Sequence, residues 1–438
     1  MRRVTIGLIG AGTVGGGVYQ AIQRNSSLLA CRLGVSLEIT RVVVRDKRRP
    51  RKVKIPRTLL TTDWRKVVED PSIDLVVELI GGTTHAREIV TAALQAGKAV
   101  VTANKALLSA HGKSLFATAQ KSGGNLYYEA SVAGGIPIIK ILREAMIGNR
   151  ITRLYGIVNG TCNYILTRMK QEGADFATVL ADAQRLGYAE AEPSLDVDGH
   201  DAAHKIGILA SLAHGFWVNP KQIHTEGIRH ITQTDIEYAG KLGYTIKLLG
   251  IVKSLESGPR KTPAVQVSVY PALVPNSHVL ASVNDVFNAV FLRGDIVGDT
   301  LYYGRGAGQD ATASAVLSDL GDAALDLKHD SPRRVPAFVP HREAGRMLPI
   351  EESVSRYYLR LDVVDQPGVL ARIATILGRS KIGISSVIQP EGHCGRSVPL
   401  ILMIHDATHA KMVGALAQIS KLSVVRAKPT MIRVESFE

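Results

Sequence analysis

The sequence predicts an α/β protein built on a parallel sheet, with two smaller mixed regions after it. Three observations carry that expectation. The N-terminal third alternates short apolar runs with helix-period stretches, the pattern of successive βα units. A glycine-rich turn joins the first of those runs to the first helical stretch. Beyond a hydrophilic, proline-bearing link, the C-terminal region returns to strand-like alternation.

Taken in order, strands are expected over residues 4–9, 37–44, 74–80, 99–102 and 126–129, with helices over 13–23, 85–95 and 106–121. Helices then cluster (162–170, 176–186, 201–214), and β-rich segments follow at 244–253 and 265–270. Gly304-Arg305-Gly306-Ala307-Gly308 opens a further helix over 311–320, and the link spans 326–349. The terminal unit is expected to run strand 357–364, a helix opened by Asp365-Gln366-Pro367-Gly368, strands 384–388 and 398–404, helix 407–420 and strand 422–427. That is a βαββαβ order.

A chain of 438 residues has room for two to four domains of roughly 100–200 residues each. At 45% hydrophobic and 21% charged it has the composition of a globular protein. No apolar run approaches the ~18–20 residues of a membrane span, so no membrane partner is expected. Met1 leads almost directly into a strand, which predicts no signal peptide. Cys31, Cys162 and Cys394 are odd in number, far apart and without zinc-ligand spacing. A reducing cytoplasm suits them.

The net charge of +14 raises the question of a nucleic-acid partner. Part of it sits in residues 45–57, with eight basic residues against one acid. The run reads as a solvated loop, or as phosphate recognition by a cofactor or by RNA. No aromatic residue interleaves with these charges, so nucleic acid is not expected.

The glycine turn is more specific. Residues 4–9 run straight into Gly10-Ala11-Gly12-Thr13-Val14-Gly15 and then into a helix. In such a turn Gly10 allows the tight bend, Gly12 lets the backbone approach a pyrophosphate, and Gly15 lets helix and strand pack closely. The helix N-terminus adds free N–H groups and partial positive charge. A Rossmann-type dinucleotide-binding domain follows. At the end of the second strand Arg45 precedes Asp46. Arginine suits the 2′-phosphate of NADP, whereas an acid suits the ribose of NAD, so NADP is expected and NAD stays open.

A second constellation runs from Leu186 to Lys205. A loop bearing Glu190, Glu192, Asp196, Asp198 and Asp201 leads into a helix on which Asp201 and Lys205 share a face. An ordinary i,i+4 surface pair is the plain alternative. The rest of that helix (Ile206, Ile208, Leu209, Leu212) is apolar, however, which argues for a site. Hydride delivery to an aldehyde builds negative charge on its oxygen, and a nearby ammonium stabilises that charge and donates a proton. Carboxylates in the loop suit the ammonium of an amino-acid substrate. Lys105, just past the fourth strand, supplies a second cation at the edge where α/β sheets bind ligands. His200 and His204 are also i,i+4, but no third zinc ligand accompanies them. Cys162 fits a buried structural thiol better than a nucleophile.

These residues resemble the homoserine dehydrogenase family. The run 183–205 carries its signature, with Gly187, Pro193, Asp196, Gly199, Asp201 and Lys205 in place. Supporting blocks are 101–105, 129–137, 159–164 and 304–308, so the resemblance covers residues 4–320. It implies NAD(P)H-dependent, reversible reduction of L-aspartate 4-semialdehyde to L-homoserine, in threonine, methionine and isoleucine biosynthesis. Carried over, Lys205 is the proton donor, while Lys105 helps to hold cofactor and substrate. Glu190 and Asp201 bind the substrate. Gly81, Gly187 and Gly308 line the cofactor site beside Thr13, Val14 and Arg45. The family also implies a sodium-like monovalent cation at Glu129, Val132, Gly134 and Ile136.

The βαββαβ unit resembles an ACT domain, through which threonine would act as effector and sheets would pair between subunits; assistance to oligomerisation alone is the alternative. The expected division is thus a Rossmann domain over 1–135 with a returning segment about 304–325, a catalytic and dimerisation domain over 136–303, a linker over 326–354 and an ACT domain over 355–438. A homo-oligomeric cytoplasmic enzyme is expected. An amino-acid-responsive binding protein without turnover, and a semialdehyde-oxidising enzyme using Cys162, are the alternatives.

Overall fold

The computed structural model describes residues 1–255, 264–331, 334–341, 345–390 and 397–437. Cys394 and parts of the 326–354 stretch lie outside them. The N-terminal sheet holds β1 (Arg2–Ile9), β2 (Val35–Val43), β3 (Leu60–Thr61), β4 (Leu75–Glu78), β5 (Ala99–Thr102) and β6 (Leu126–Tyr127), in the order β3-β2-β1-β4-β5-β6. Every pairing in it is parallel. β1 from Val4 onwards and β4 are buried on both faces and read as largely apolar runs, whereas β2 is partly exposed and alternates. Their connections include α1 (Thr13–Arg24), α2 (Ser26–Leu33), α3 (Arg65–Val68), α4 (Thr84–Gln95) and α5 (Lys105–Ser122). The expected strand at 126–129 stops at Tyr127, because Glu129 begins a short 3-10 turn.

Next come α6 (Ile138–Lys140), β7 (Ile151–Ile157), α7 (Gly160–Glu172), α8 (Phe176–Arg185), α9 (Ser194–Val197) and α10 (His200–His214). After them lie β8 (His224–Thr225), α11 (Gln233–Lys241), β9 (Tyr244–Leu255), β10 (Ala264–Pro275), β11 (Phe287–Gly294), β12 (Gly298–Arg305) and α12 (Gln309–Lys328). α12 extends well past the expected 311–320 because its alanine-rich face continues into the core, through Ala313, Val316, Leu320, Ala323 and Ala324.

The C-terminal region carries β13 (Arg346–Met347), β14 (Val354–Val364), α13 (Val369–Arg379), β15 (Ile384–Ile388), β16 (Ser397–Thr408), α14 (His409–Ile419) and β17 (Thr430–Val434). From β14 onwards the order is βαββαβ, and the strands align β17-β14-β16-β15. One expectation fails here: the last strand is Thr430–Val434, not 422–427. The apolar Leu422, Val424 and Val425 instead form a turn that closes the core, where only Val425 bridges to Val363. β17 takes the edge of β14, with Arg360 opposite Thr430 and Arg356 opposite Val434.

The described residues form two compact units. The first comprises 1–153, 204–221 and 288–345; the second comprises 154–203, 222–287 and 346–438. In the first, α12 packs on α1 and shares the core of the parallel sheet. In the second, β9 and β10 form a long antiparallel pair, and β17 joins β10 in parallel at Ala272 and Leu273. Among the described residues, no helix is long and apolar enough to cross a membrane.

Candidate active site

The first unit contains a cleft of about 570 Å³ at the carboxyl ends of β1, β2 and β4. Gly10, Gly12, Thr13, Arg45 and Gly81 all line it, so the glycine turn and the basic run meet there as expected. Each glycine has a distinct geometry. Gly10 sits at φ +102, and a Cβ on it would lie 2.7 Å from the carbonyl oxygen of Leu79. A Cβ on Gly15 would lie 2.0 Å from the oxygen of Gly10, which is the close helix–strand contact expected. Gly12 has open space around its missing side chain, leaving the backbone accessible to a ligand. Val14 and Gly15 follow on the first turn of α1, and Gly308 caps the start of α12 beside the cleft residue Gln309.

The basic run folds over the same cleft through Arg45, Arg49, Arg51 and Lys52, with Trp64 and His85 on its wall. Asp46 is occupied locally: its Oδ1 accepts the Arg48 N–H at 2.7 Å, and its carbonyl accepts from the Arg51 guanidinium. Asp46 lines the cleft as well.

Lys105 begins α5 and is half-buried. Its position is set by a buried network that the sequence did not announce. Glu78 accepts the amides of Ile80 (2.8 Å) and Gly81 (3.3 Å) on one oxygen, and the Thr102 hydroxyl (2.7 Å) on the other. Thr102 accepts the Asn104 N–H, and Asn104 both caps α5 and donates to the Gly82 carbonyl at 2.7 Å. Burial raises the Glu78 carboxyl above its ordinary range, against the pull of these donors. The Gly81–Gly82 turn and Lys105 are thereby fixed to one frame.

The block from Glu129 to Ile136 is buried at Glu129, Val132, Gly134 and Ile136. Ala133 and Gly134 are both left-handed, and a Cβ on Gly134 would lie 2.5 Å from the Gly306 carbonyl. The block therefore locks onto the 304–308 loop, with Gly135 N–H donating to the Arg305 carbonyl at 3.0 Å. Both Glu129 carboxylate oxygens accept amides at the start of α6, from Ile139 (2.9 Å) and Lys140 (2.8 Å). Burial pushes this carboxyl up to about 7 despite those bonds. Of the main-chain carbonyls in this block, that of Glu129 accepts the Val132 N–H at 3.4 Å and that of Ile136 accepts the Ile138 N–H at 2.8 Å.

Glu190 and Asp201 belong to the second unit, as does Gly187, which is left-handed at φ +77. Glu190 is exposed, whereas Asp201 is buried in the first turn of α10. Asn159 organises this loop. Its side-chain oxygen caps α7 by accepting the Cys162 N–H at 2.8 Å. Its amide nitrogen donates to Asp196 at 2.7 Å and to Asp201 at 2.9 Å. Cys162 is buried, and its thiol donates to the Asp196 carbonyl at 3.2 Å, so it serves as a structural group. Lys205 follows Asp201 by one turn of α10 and is half-buried. Among the described residues, no group of three His, Cys, Asp or Glu is arranged to hold a metal ion.

Residues 137–320 match the homoserine dehydrogenase family, and residues 10–129 match the homoserine dehydrogenase NAD-binding domain. The homoserine dehydrogenase of Pseudomonas aeruginosa is 46% identical over 442 residues, covering 100% of both chains. The chain belongs to the homoserine dehydrogenase family. The crystal structure of a homoserine dehydrogenase from Thiobacillus denitrificans superposes with a TM-score of 0.91 at 44% identity, covering 100% of this chain and 99% of that one. A hyperthermophilic archaeal homoserine dehydrogenase in complex with NADPH superposes with a TM-score of 0.62 at 26% identity, over 74% of this chain and 98% of that one.

Membership makes the chain a nicotinamide-dinucleotide-dependent oxidoreductase acting on a CH–OH group. Two organising residues escaped the sequence reading. Asn159 stood within the quoted 159–164 block but carried no assigned role. Glu78 sat inside an apolar strand; an acid among buried β-residues was the available signal.

Proposed function

We propose that this homoserine dehydrogenase interconverts L-aspartate 4-semialdehyde and L-homoserine, with NADP preferred over NAD. The observation that carries the assignment of roles is the Asn159 clamp, which ties Asp196 of α9 to Asp201, one helical turn before Lys205 on α10. The amide donates to both carboxylates, and acidic side chains suit a substrate ammonium. Glu190 and Asp201 then grip the substrate. Lys205 donates the proton to the carbonyl oxygen in reduction and accepts it in oxidation. Lys105 holds cofactor and substrate at the end of β5. When bound, the nicotinamide supplies or accepts the hydride.

The preference for NADP rests on Arg45, Arg49 and Arg51 lining the cleft. Gly10, Gly12, Thr13, Val14, Gly15, Gly81, Gly187 and Gly308 complete the cofactor contacts. Glu129, Val132, Gly134 and Ile136 would hold a sodium-like cation through main-chain oxygens. The βαββαβ module from β14 to β17 is read as an ACT domain that senses threonine, in a cytoplasmic homo-oligomer. Functionally the chain then divides as 1–135 with 304–325, 136–303, a linker over 326–354, and 355–438.

The test is homoserine-dependent NADP reduction by wild type and by Lys205→Met. We expect wild-type turnover, and a fall in kcat of about 10³-fold or more in the variant, with NADPH binding retained by fluorescence titration. Wild type inactive on homoserine, or a Lys205→Met enzyme with near-normal kcat, overturns the proposal.

A further inference from the structure

In the second unit, two arginines of the βαββαβ module, the buried Arg433 and the largely buried Arg360, grip opposite ends of one segment, residues 226–235. At its start, Glu226 Oε1 lies 3.0 Å from Arg433 Nη1 on β17. Arg433 is 1% exposed; its other terminal nitrogen is 3.0 Å from His409 Nδ1, and its guanidinium lies 4.3 Å from the centre of the Tyr270 ring. At the other end, Asp235 is wholly buried and accepts from Arg360 Nε on β14 at 2.8 Å and from the Tyr358 hydroxyl at 3.2 Å. The same carboxylate accepts the Thr232 N–H at 2.9 Å and so closes the capping box of α11.

The middle of the segment rests on the acid loop. Ile228 N–H donates to the Val197 carbonyl at 2.8 Å. Gly227 has no clearance: a Cβ there would lie 2.2 Å from the Val197 oxygen and 2.5 Å from Asp198 Cα. Gly199 faces the segment from the other side at φ +86, with the Glu226 carbonyl 3.0 Å from where its Cβ would be. Arg229 then reaches across with both ends of its fork. Its Nη2 lies 3.2 Å from Asp198 Oδ2 and 2.9 Å from Ser194 Oγ, while Nε donates to Asp198 Oδ1. Ser194 in turn donates to Glu192.

We propose that residues 226–235 form a strap coupling the C-terminal module to the substrate loop, with Arg229 as a positioning residue for the turn at 197–199 and, through it, for Asp201. The inference rests on the reading of that loop as the substrate grip. Neither end of the strap yields easily: Arg360 is paired with the wholly buried Asp235, and the buried Arg433 would lose its carboxylate partner Glu226. A shift of β14 or β17 therefore carries the strap with it. The strap in turn carries the turn at 197–199, since Gly227 leaves no slack against it. Arg229 adds a polar grip on the same turn through the bidentate pair. Asp201 lies immediately beyond that turn, so the strap links the C-terminal module to the substrate side.

Arg229 and Asp198 are both partly solvent-exposed, so Arg229→Ala is expected to fold. In the full-length enzyme it should raise the KM for homoserine about tenfold, with kcat and the KM for NADP within about twofold of wild type. Arg229→Lys, which keeps the charge but loses the fork, should recover part of the loss. Arg360→Lys and Arg433→Lys should produce the same selective rise in homoserine KM. Each double variant with Arg229→Ala should be no worse than the worse single, as expected of links in one chain. An unchanged homoserine KM in Arg229→Ala, or full additivity in the doubles, overturns the strap. Should Arg433→Lys not fold, Arg360→Lys decides that arm. Glu190→Gln is the control: if it raises the homoserine KM while Arg229→Ala does not, the strap alone fails. If neither moves it, the substrate-loop reading fails as well.

Discussion

The side-chain amide nitrogen of Asn159 lies 2.9 Å from a carboxylate oxygen of Asp201, and the oxygen of the same amide caps α7. One side chain thus does two separable things. It satisfies a buried N–H that has no intrahelical acceptor at a helix start, and it bonds an acid in the first turn of α10.

Asn159→Asp separates these tasks. Aspartate is as good an N-cap as asparagine, so α7 keeps its first turn. Facing Asp196 and Asp201, however, the new carboxylate repels where the amide donated. We expect kcat/KM for homoserine to fall about 10²-fold while the KM for NADP holds and the chain remains folded by circular dichroism. A variant with wild-type kcat/KM would show that the clamp has no bearing on the substrate.

Cofactor choice gives the second prediction. Arg45 and Arg49 line the cleft, and neither guanidinium is needed by the core. Replacing both by glutamine should raise the KM for NADP by about tenfold or more and leave the KM for NAD nearly unchanged, since only NADP carries the 2′-phosphate. The wild-type KM for NADP should also rise with ionic strength more steeply than that for NAD, because the contact is between exposed charges. Equal effects on both cofactors would place the arginines on the shared pyrophosphate instead.

The parallel sheet was legible because its strands are short runs punctuated by helix periods, and β5 falls where the sequence put it, as does β15 in the C-terminal module. The glycine turn was legible because each glycine answers a local steric need. By contrast, residues 422–427 are apolar and β-branched enough to read as a strand, yet they close a core instead. Local composition cannot tell which of two neighbouring runs will find a partner edge. The strap was illegible for a related reason. Glu226 and Arg433 are 207 positions apart, and Asp235 and Arg360 are 125 apart. A charge destined for burial looks on paper like any surface charge.

The buried cluster around Arg433 predicts a particular acid lability. Burial, together with the nearby Arg433 and His224, lowers His409 from its ordinary 6.5 to about 4. In the folded protein His409 is therefore neutral between pH 6.5 and 4, whereas in the unfolded chain it takes up a proton across that window. Its contribution to stability is fully present above pH 6.5 and is lost as the pH falls towards 4. Glu226 acts lower down. Burial would raise its carboxyl, but the bonds from His224 and the charge of Arg433 outweigh that and hold it at about 2, below its ordinary 4.5. Its contribution is present above pH 4.5 and is lost as the pH falls through about 2. The two losses are separable by substitution. His409→Gln keeps an acceptor for Arg433 but cannot titrate, so it should flatten the first loss and leave the second. The wild type should shed on the order of 3 kcal/mol more than the variant between pH 7 and pH 4. Urea midpoints at half-unit pH steps measure this directly. Parallel curves for the two proteins down to pH 4 would mean that His409 is protonated in the fold after all, and that Arg433 leans on Glu226 alone.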